Sequence, residues 1–197
     1  MGGKQLAVGA SDRAGEMRKI ASRLHIETQK AIGQQKPTVL LLGPTMSANN
    51  DGSVLRKELQ KRIWSIGVTV LAEHDEMKKV ARKSLRSVNN LSRLEIYIAK
   101  IVDLVVIIPD SPGSFAELGM FAVRKSVCHK MVILFRKKFK GDKSYIQLGP
   151  RKYAEGMRAK PVFIDYADID NAWKKVAVFI NNVKAEMADR YDVAGME

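Results

Sequence analysis

Asp103-Leu-Val-Val-Ile-Ile-Pro-Asp-Ser-Pro-Gly-Ser-Phe-Ala-Glu-Leu-Gly-Met-Phe-Ala122 is the stretch that decides the fold. Its first part, to Ile108, is apolar and β-branched with no polar alternation. A strand of that kind is buried on both faces, which is the habit of parallel sheets. Pro109, Pro112 and Gly113 then force a tight loop, and the spacing predicts a helix from Ser114 to Val127. A buried strand, a short loop and a helix opening above the strand end make half of a βαβ unit. The free N–H groups and the positive dipole end of such a helix face the crevice above the sheet. They suit a phosphate, or a carboxylate that must stay ionised.

Outward from this stretch the same alternation repeats. Apolar runs at Thr38–Leu42, Val68–Ala72, Met131–Phe135 and Pro161–Ile164 read as four more strands. Helical periodicity separates them at Val54–Ile66, at His74–Lys100 with Asn89-Asn90 as an interruption, and at Asp168–Arg190. Strands alternating with helices predict an α/β fold. The expected form is a Rossmann-like, three-layer domain with a parallel sheet of about five strands in flavodoxin-like order. Its ligand is expected at the carboxyl ends of the strands. Residues 1–36 read as a tail and an extra amphipathic helix over 11–35, with Met17, Ile20, Leu24 and Ile32 on its seam; residues 37–197 read as the domain. That seam must be buried somewhere, and self-association through it is expected. Residues 136–160 read as one long irregular segment.

The totals exclude several classes. The chain has 197 residues, 46% hydrophobic and 28% charged, an ordinary globular composition. No apolar run approaches the roughly 20 residues of a membrane span. The N-terminus has no secretory h-region, and Leu6 stands where myristoylation wants Ser or Thr, so a cytoplasmic, membrane-free location is expected. Cys128 is the single cysteine, and His25, His74 and His129 show no paired ligand spacing. Neither a metal nor a cofactor is expected.

The formal net charge is +13, which favours an anionic partner. Basic residues concentrate in Arg136, Lys137, Lys138, Lys140, Lys143, Arg151 and Lys152, with Tyr145 and Tyr153 between them. Cations for phosphates and aromatics for stacking suit nucleic acid; a solvated basic loop is the alternative. Lys78, Lys79, Arg82, Lys83 and Arg86 make a second patch.

Glu117 has two readings. Ser114-Phe-Ala-Glu117 has the spacing of a capping box, in which serine and glutamate satisfy each other's backbone N–H. Alternatively Glu117 is a reactive carboxylate ringed by Phe115, Leu118 and Met120, with Gly119 permitting close approach. Around it, Ser111, Gly113 and Ser114 form the loop and helix start. Gly43, Pro44 and Thr45 open a second loop able to lie against a sugar or phosphate. That loop carries neither a Walker nor a dinucleotide fingerprint. Arg56, in the first turn of the following helix, either pairs a phosphate or is a solvated helix residue. Asp103 either orients the site or caps its strand.

These residues resemble a known family. Glu117-Leu-Gly-Met-Phe-Ala122 is similar to the Glu-Leu-Gly-x-Ala core of nucleoside 2-deoxyribosyltransferases, with one extra residue before the alanine. A closer likeness is to the transferase-like effectors of bacterial retrons. It rests on Ser111–Gly119, Ala72-Glu73, Glu95 and Ser144-Tyr-Ile-Gln-Leu-Gly-Pro150, in that order, and covers roughly residues 38–165. The resemblance implies an N-glycosidase that cleaves the base–sugar bond of a nucleoside, nucleotide or NAD, acting as the toxin of an anti-phage system. Glu117 would be the nucleophile, Asp110 the donor to the leaving base, and Glu95 a hydroxyl ligand; the alternatives are an ordinary turn residue for Asp110 and a surface helix residue for Glu95. The implied partners are a reverse transcriptase and its RNA–DNA product (msDNA), and a homo-oligomer is implied. Many such effectors carry a C-terminal winged-helix domain, which this chain is expected to lack. Two other readings remain: a Rossmann-like sensor that binds a nucleotide without cleaving it, and a basic nucleic-acid-binding subunit.

Overall fold

The apolar runs become strands in the computed structural model, which describes residues 32–72 and 90–194 together with Lys19, Ser22, Arg23, Lys30 and Lys79. The strands are β1 (Thr38–Leu42), β2 (Val68–Val70), β3 (Leu104–Ile107), β4 (Met131–Arg136) and β5 (Lys160–Ile164). They form one parallel sheet in the order β2-β1-β3-β4-β5, the flavodoxin-like order expected. Residues 36–183 cluster as one compact unit, and 1–35 with 184–197 as another. The sheet and the site lie in the first.

The missing alternation in the strands has a direct cause. Leu40, Leu42, Val105 and Ile107 point into one core layer, and Val39, Leu41, Leu104 and Val106 into the other. The first layer is closed by α2 (Leu91–Ile101), α3 (Pro112–Ala122) and α4 (Lys125–Cys128) through Leu94, Ile98, Leu118, Phe121 and Val127. The second is closed by α1 (Asp51–Trp64) and α6 (Ile169–Ala194) through Leu55, Leu59, Ile63, Ala172, Val176 and Ile180. Both faces of each central strand are therefore dry, and each fully buried Leu or Ile contributes about 1.5–3 kcal/mol. Cys128 sits in this core, and burial pushes its thiol above the usual range, as for an inert structural cysteine.

The differences from expectation are local. Helix α1 starts at Asp51 rather than Val54, because Asn50 caps it: the Asn50 side chain accepts from Ser53 N–H at 2.9 Å. Asn90 caps α2 in the same way, accepting from Arg93 N–H at 3.1 Å. The helix expected over 114–127 is two helices, with a turn at Val123–Arg124. Residues 136–160 are not irregular. They hold a 3₁₀ turn (Lys137–Phe139), a π-helical turn (Gln147–Arg151) and α5 (Lys152–Gly156).

The helix expected over 11–35 lies for the most part outside the described residues, as do Glu73 and the basic patch at 78–86 apart from Lys79. No described helix is long and apolar enough to cross a membrane.

Candidate functional site

Above the carboxyl ends of β1 and β3 the chain makes two loops. The one after β3 is held by paired serines. Ser111 is the N-cap of α3 and its Oγ accepts from Ser114 N–H at 3.2 Å; Ser114 Oγ accepts from Ser111 N–H at 2.9 Å and from Asp110 N–H at 3.0 Å. Pro112 takes the first helical position, where its missing N–H costs nothing.

This geometry corrects the sequence reading of Glu117. The helix starts at Pro112, two residues before the expected Ser114, and its capping box is Ser111 with Ser114. Glu117 is the sixth helical residue, in the second turn, so it is not the partner in a cap. It also lies beyond the first turn, where the field of the helix end is strongest.

Glu117 instead lines a cavity of about 460 Å³ together with Gly43, Thr45, Arg56, Ala72, Leu91, Glu95, Ser111, Gly113 and Ser114. Two carboxylates from different helices, Glu95 on α2 and Glu117 on α3, thus share one cavity with the polar start of α3. The Oε2 atom of Glu117 is buried. Leu91 had no chemical signal in the sequence, and Ala72 only its place in the retron-effector likeness; they supply the apolar part of the wall.

Arg56 is not the solvated helix residue of one sequence reading, and it lines the cavity. It is only 3% exposed, and its guanidinium donates to the carbonyls of Leu41 at 2.9 Å and Pro44 at 3.1 Å. It is a strut that fixes the loop after β1; Pro44, expected at the site, is held by that bond and does not line the cavity. Ser53 Oγ braces the same loop by donating to the Thr45 carbonyl at 2.8 Å.

Asp110 and Arg136 also change roles. Both oxygens of Asp110 accept from the Arg136 guanidinium, from Nε and Nη2, each at 2.7 Å. Arg136 Nη1 donates to Asp51 at 2.9 Å, and the guanidinium lies 4.6 Å from the centre of the Tyr166 ring. Tyr166 is buried and its hydroxyl donates to the Leu134 carbonyl. A carboxylate engaged through both oxygens with a guanidinium is an acceptor, not a proton donor, so Asp110 does not fit the donor role expected for it. Arg136 leaves the basic surface and becomes the pin between the loop after β3 and the start of α1. The approach is close enough to require Gly52: a Cβ there would stand 2.4 Å from Asp110 Oδ2.

Asp103 lies at the other end of its strand, away from the cavity. Its Oδ2 accepts from Thr38 N–H and Thr38 Oγ1–H, each at 2.7 Å, so it ties the starts of β1 and β3 together. Of the remaining basic residues, Lys137, Lys138, Lys140, Lys143 and Lys152 are exposed, whereas Arg151 is held by Glu155 at 2.7 Å.

Comparison with known proteins gives these observations a setting. The family model for the STM3845 retron effector protein matches residues 53–192. The "Retron Ec86 putative ribosyltransferase/DNA-binding protein" of Escherichia coli is 29% identical over 122 residues, 55% of this chain and 40% of the relative. Its counterpart from retron Ec73 of Escherichia coli, named in the same terms, is 39% identical over 64 residues, 32% of this chain and 20% of the relative. The chain therefore spans less than half the length of either relative.

Proposed function

Because this chain belongs to the STM3845 retron effector family, we propose that it is an N-glycosidase of the deoxyribosyltransferase type, the toxic effector of a retron defence system. The observation that carries this reading is the placement of Glu117 in a cavity shared with Glu95, while Ser111 and Ser114 do the capping that would otherwise explain a glutamate near a helix start. The names of the Ec86 and Ec73 relatives, which pair ribosyl transfer with DNA binding, agree with it.

In the proposed reaction a Glu117 oxygen attacks the anomeric carbon of a (deoxy)ribosyl N-glycoside. The C–N bond breaks through an oxocarbenium-like transition state, and its electron pair leaves with the base. A glycosyl ester forms on Glu117, and water then releases the sugar. Glu95 accepts a hydrogen bond from a sugar hydroxyl. Ser111, Gly113 and Ser114 offer the polar rim on which a phosphate or hydroxyl rests, and Gly43 and Thr45 close the opposite side. The proton for the leaving base comes from solvent, since Asp110 is committed to Arg136. The substrate is a nucleoside, nucleotide or NAD.

Chromatography of a nucleotide mixture that includes NAD, before and after incubation with the protein, tests this. Release of free base with its matching sugar product is expected. A ligand retained on the protein with no base released would replace the enzyme with a nucleotide sensor.

The reading extends to partners: a reverse transcriptase, its RNA–DNA product, and further copies of the chain. The exposed lysines are the proposed contact with the polyanion. Lys137, Lys138 and Lys140 reversed together to Glu are expected to weaken binding to nucleic acid and to lower the slope of log affinity against log salt by about 2–3, near one counterion per lost phosphate contact. Titrations at several salt concentrations measure it. An unchanged slope would leave those lysines as a solvated turn. Deleting residues 1–33 is expected to lower the mass seen by light scattering if the N-terminal segment carries self-association; an unchanged oligomer would rule that segment out.

A further inference from the structure

A second cavity, of about 620 Å³, has no part in the reaction above. It lies between α3 and the segment running from Tyr145 to Tyr153, and its walls include Phe115, Gly119, Val123, Tyr145, Leu148 and Tyr153. Helical spacing separates it from the catalytic cavity. Positions 115, 119, 122 and 123 form one stripe of α3, whereas 113, 114 and 117 fall on another. The groove is therefore on a different face of the helix that carries Glu117.

Its apolar groups are unusually open. Tyr145 is 80% exposed, Val123 60% and Tyr153 53%. Large apolar side chains gathered around one groove mark a binding surface, not scattered surface residues. Tyr145 nonetheless has the chain on one side. Its ring lies against Gly149, where an added Cβ would stand 3.5 Å from a ring carbon. An aromatic plate backed by the chain and open to solvent loses little side-chain entropy when something stacks on it. Lys152 lines the groove, and exposed Lys143 is two residues from Tyr145.

We propose that this groove binds single-stranded nucleic acid, with bases stacking on Tyr145 and Tyr153 and phosphates resting at Lys143 and Lys152. Charge argues against a second copy as the occupant, since a chain of net charge +13 would bring the same basic rim to the same groove. Flat aromatics beside cations match a single strand, because every base has a face to stack and a duplex keeps its faces hidden. The inference rests on the polyanion reading of the basic segment and supplies its missing base contacts; it is independent of the chemistry at Glu117.

The test is fluorescence anisotropy of a labelled single-stranded DNA about a dozen nucleotides long, with the full chain and with E117Q, Y145A, Y145W and G119L. Wild type and E117Q are expected to bind alike, and a duplex of the same length to bind more weakly. Y145A should weaken binding about tenfold, and Y145W should restore it. G119L should weaken it as well, because Gly119 lines the groove and an added Cβ there meets nothing within 4 Å, so the side chain starts out in open space. Thermal melting identifies any variant that fails to fold.

If Y145A and G119L, both folded, bind like wild type while the lysine reversals bind weakly, the groove proposal is overturned and the charged surface stands alone. Equal or tighter binding of the duplex overturns it too. If no oligonucleotide binds at all, the groove and the polyanion reading fall together, and release of base at Glu117 is untouched.

Discussion

E117Q is expected to abolish release of free base, by at least about 10³-fold, while the protein keeps its melting temperature. The amide has nearly the size of the carboxylate, so the cavity wall keeps its shape. It has no negative charge and a poorly nucleophilic oxygen, so it cannot form the glycosyl ester. A loss on the order of 10⁶ on removing the nucleophile of another covalent catalyst sets the scale. The geometry of α3 makes the experiment decisive. A glutamate in a capping box also supports its helix, so its replacement would confound chemistry with stability. Here Ser111 and Ser114 cap α3, and Glu117 stands in the second turn. Chromatographic detection of base and a thermal melt are the two readouts. Full activity in E117Q, or loss of activity only through unfolding, would remove Glu117 from the reaction.

The fold was legible for a physical reason. Strands covered on both faces cannot alternate, so runs such as Thr38–Leu42 announce themselves, and the parallel connections leave few orders for the sheet. The candidate cavity was legible in part too, because it lies where the fold predicts, at the strand ends. Gly43, Thr45, Glu95, Ser111, Gly113, Ser114 and Glu117 do converge on one cavity.

What escaped was pairing across distance. Arg56 reads as a helix residue with one solvated face, yet its partners are carbonyls 12 to 15 positions earlier, on the strand and loop it folds back upon. Arg136 reads as the first of a basic cluster, but Asp110 is 26 positions away and Asp51 is 85. The start of α3 escaped for a subtler reason. Ser111 and Ser114 are both good cap residues, and the pattern alone does not choose between them. The structure makes Ser111 the cap, with Pro112 at the first helical position, where proline is tolerated. In the 147–156 stretch, Gly149 and Pro150 look like breakers, but a π turn accommodates the proline and leads straight into α5.

The second large effect is expected at Arg136. R136M keeps the length and apolar stem of the side chain and removes the guanidinium. Asp110, whose side chain is only 13% exposed, then loses both of its ionic hydrogen bonds. Breaking a fully buried pair costs about 3–5 kcal/mol. Arg136 is 23% exposed at its side chain and Asp51 is 61% exposed, so water recovers part of that loss and about 2–3 kcal/mol is the expected destabilisation in urea. Activity should fall further than stability explains. Asp110 leads directly into the Ser111 cap, and Ser114 Oγ also holds the Asp110 N–H. Releasing the pair lets the start of α3 shift, and a misplacement of about 1 Å at a reacting group costs on the order of 10²-fold in rate. R136K should restore little, because an ammonium cannot offer the two parallel donors that Asp110 receives. The double variant D110N/R136M should lose less stability than the two single variants together, since no stranded carboxylate remains. Nucleic-acid binding separates this role from the surface lysines: R136M should leave the salt slope unchanged. A folded R136M as stable and as active as wild type would show that the pair positions nothing, and a flattened salt slope would return Arg136 to the basic surface.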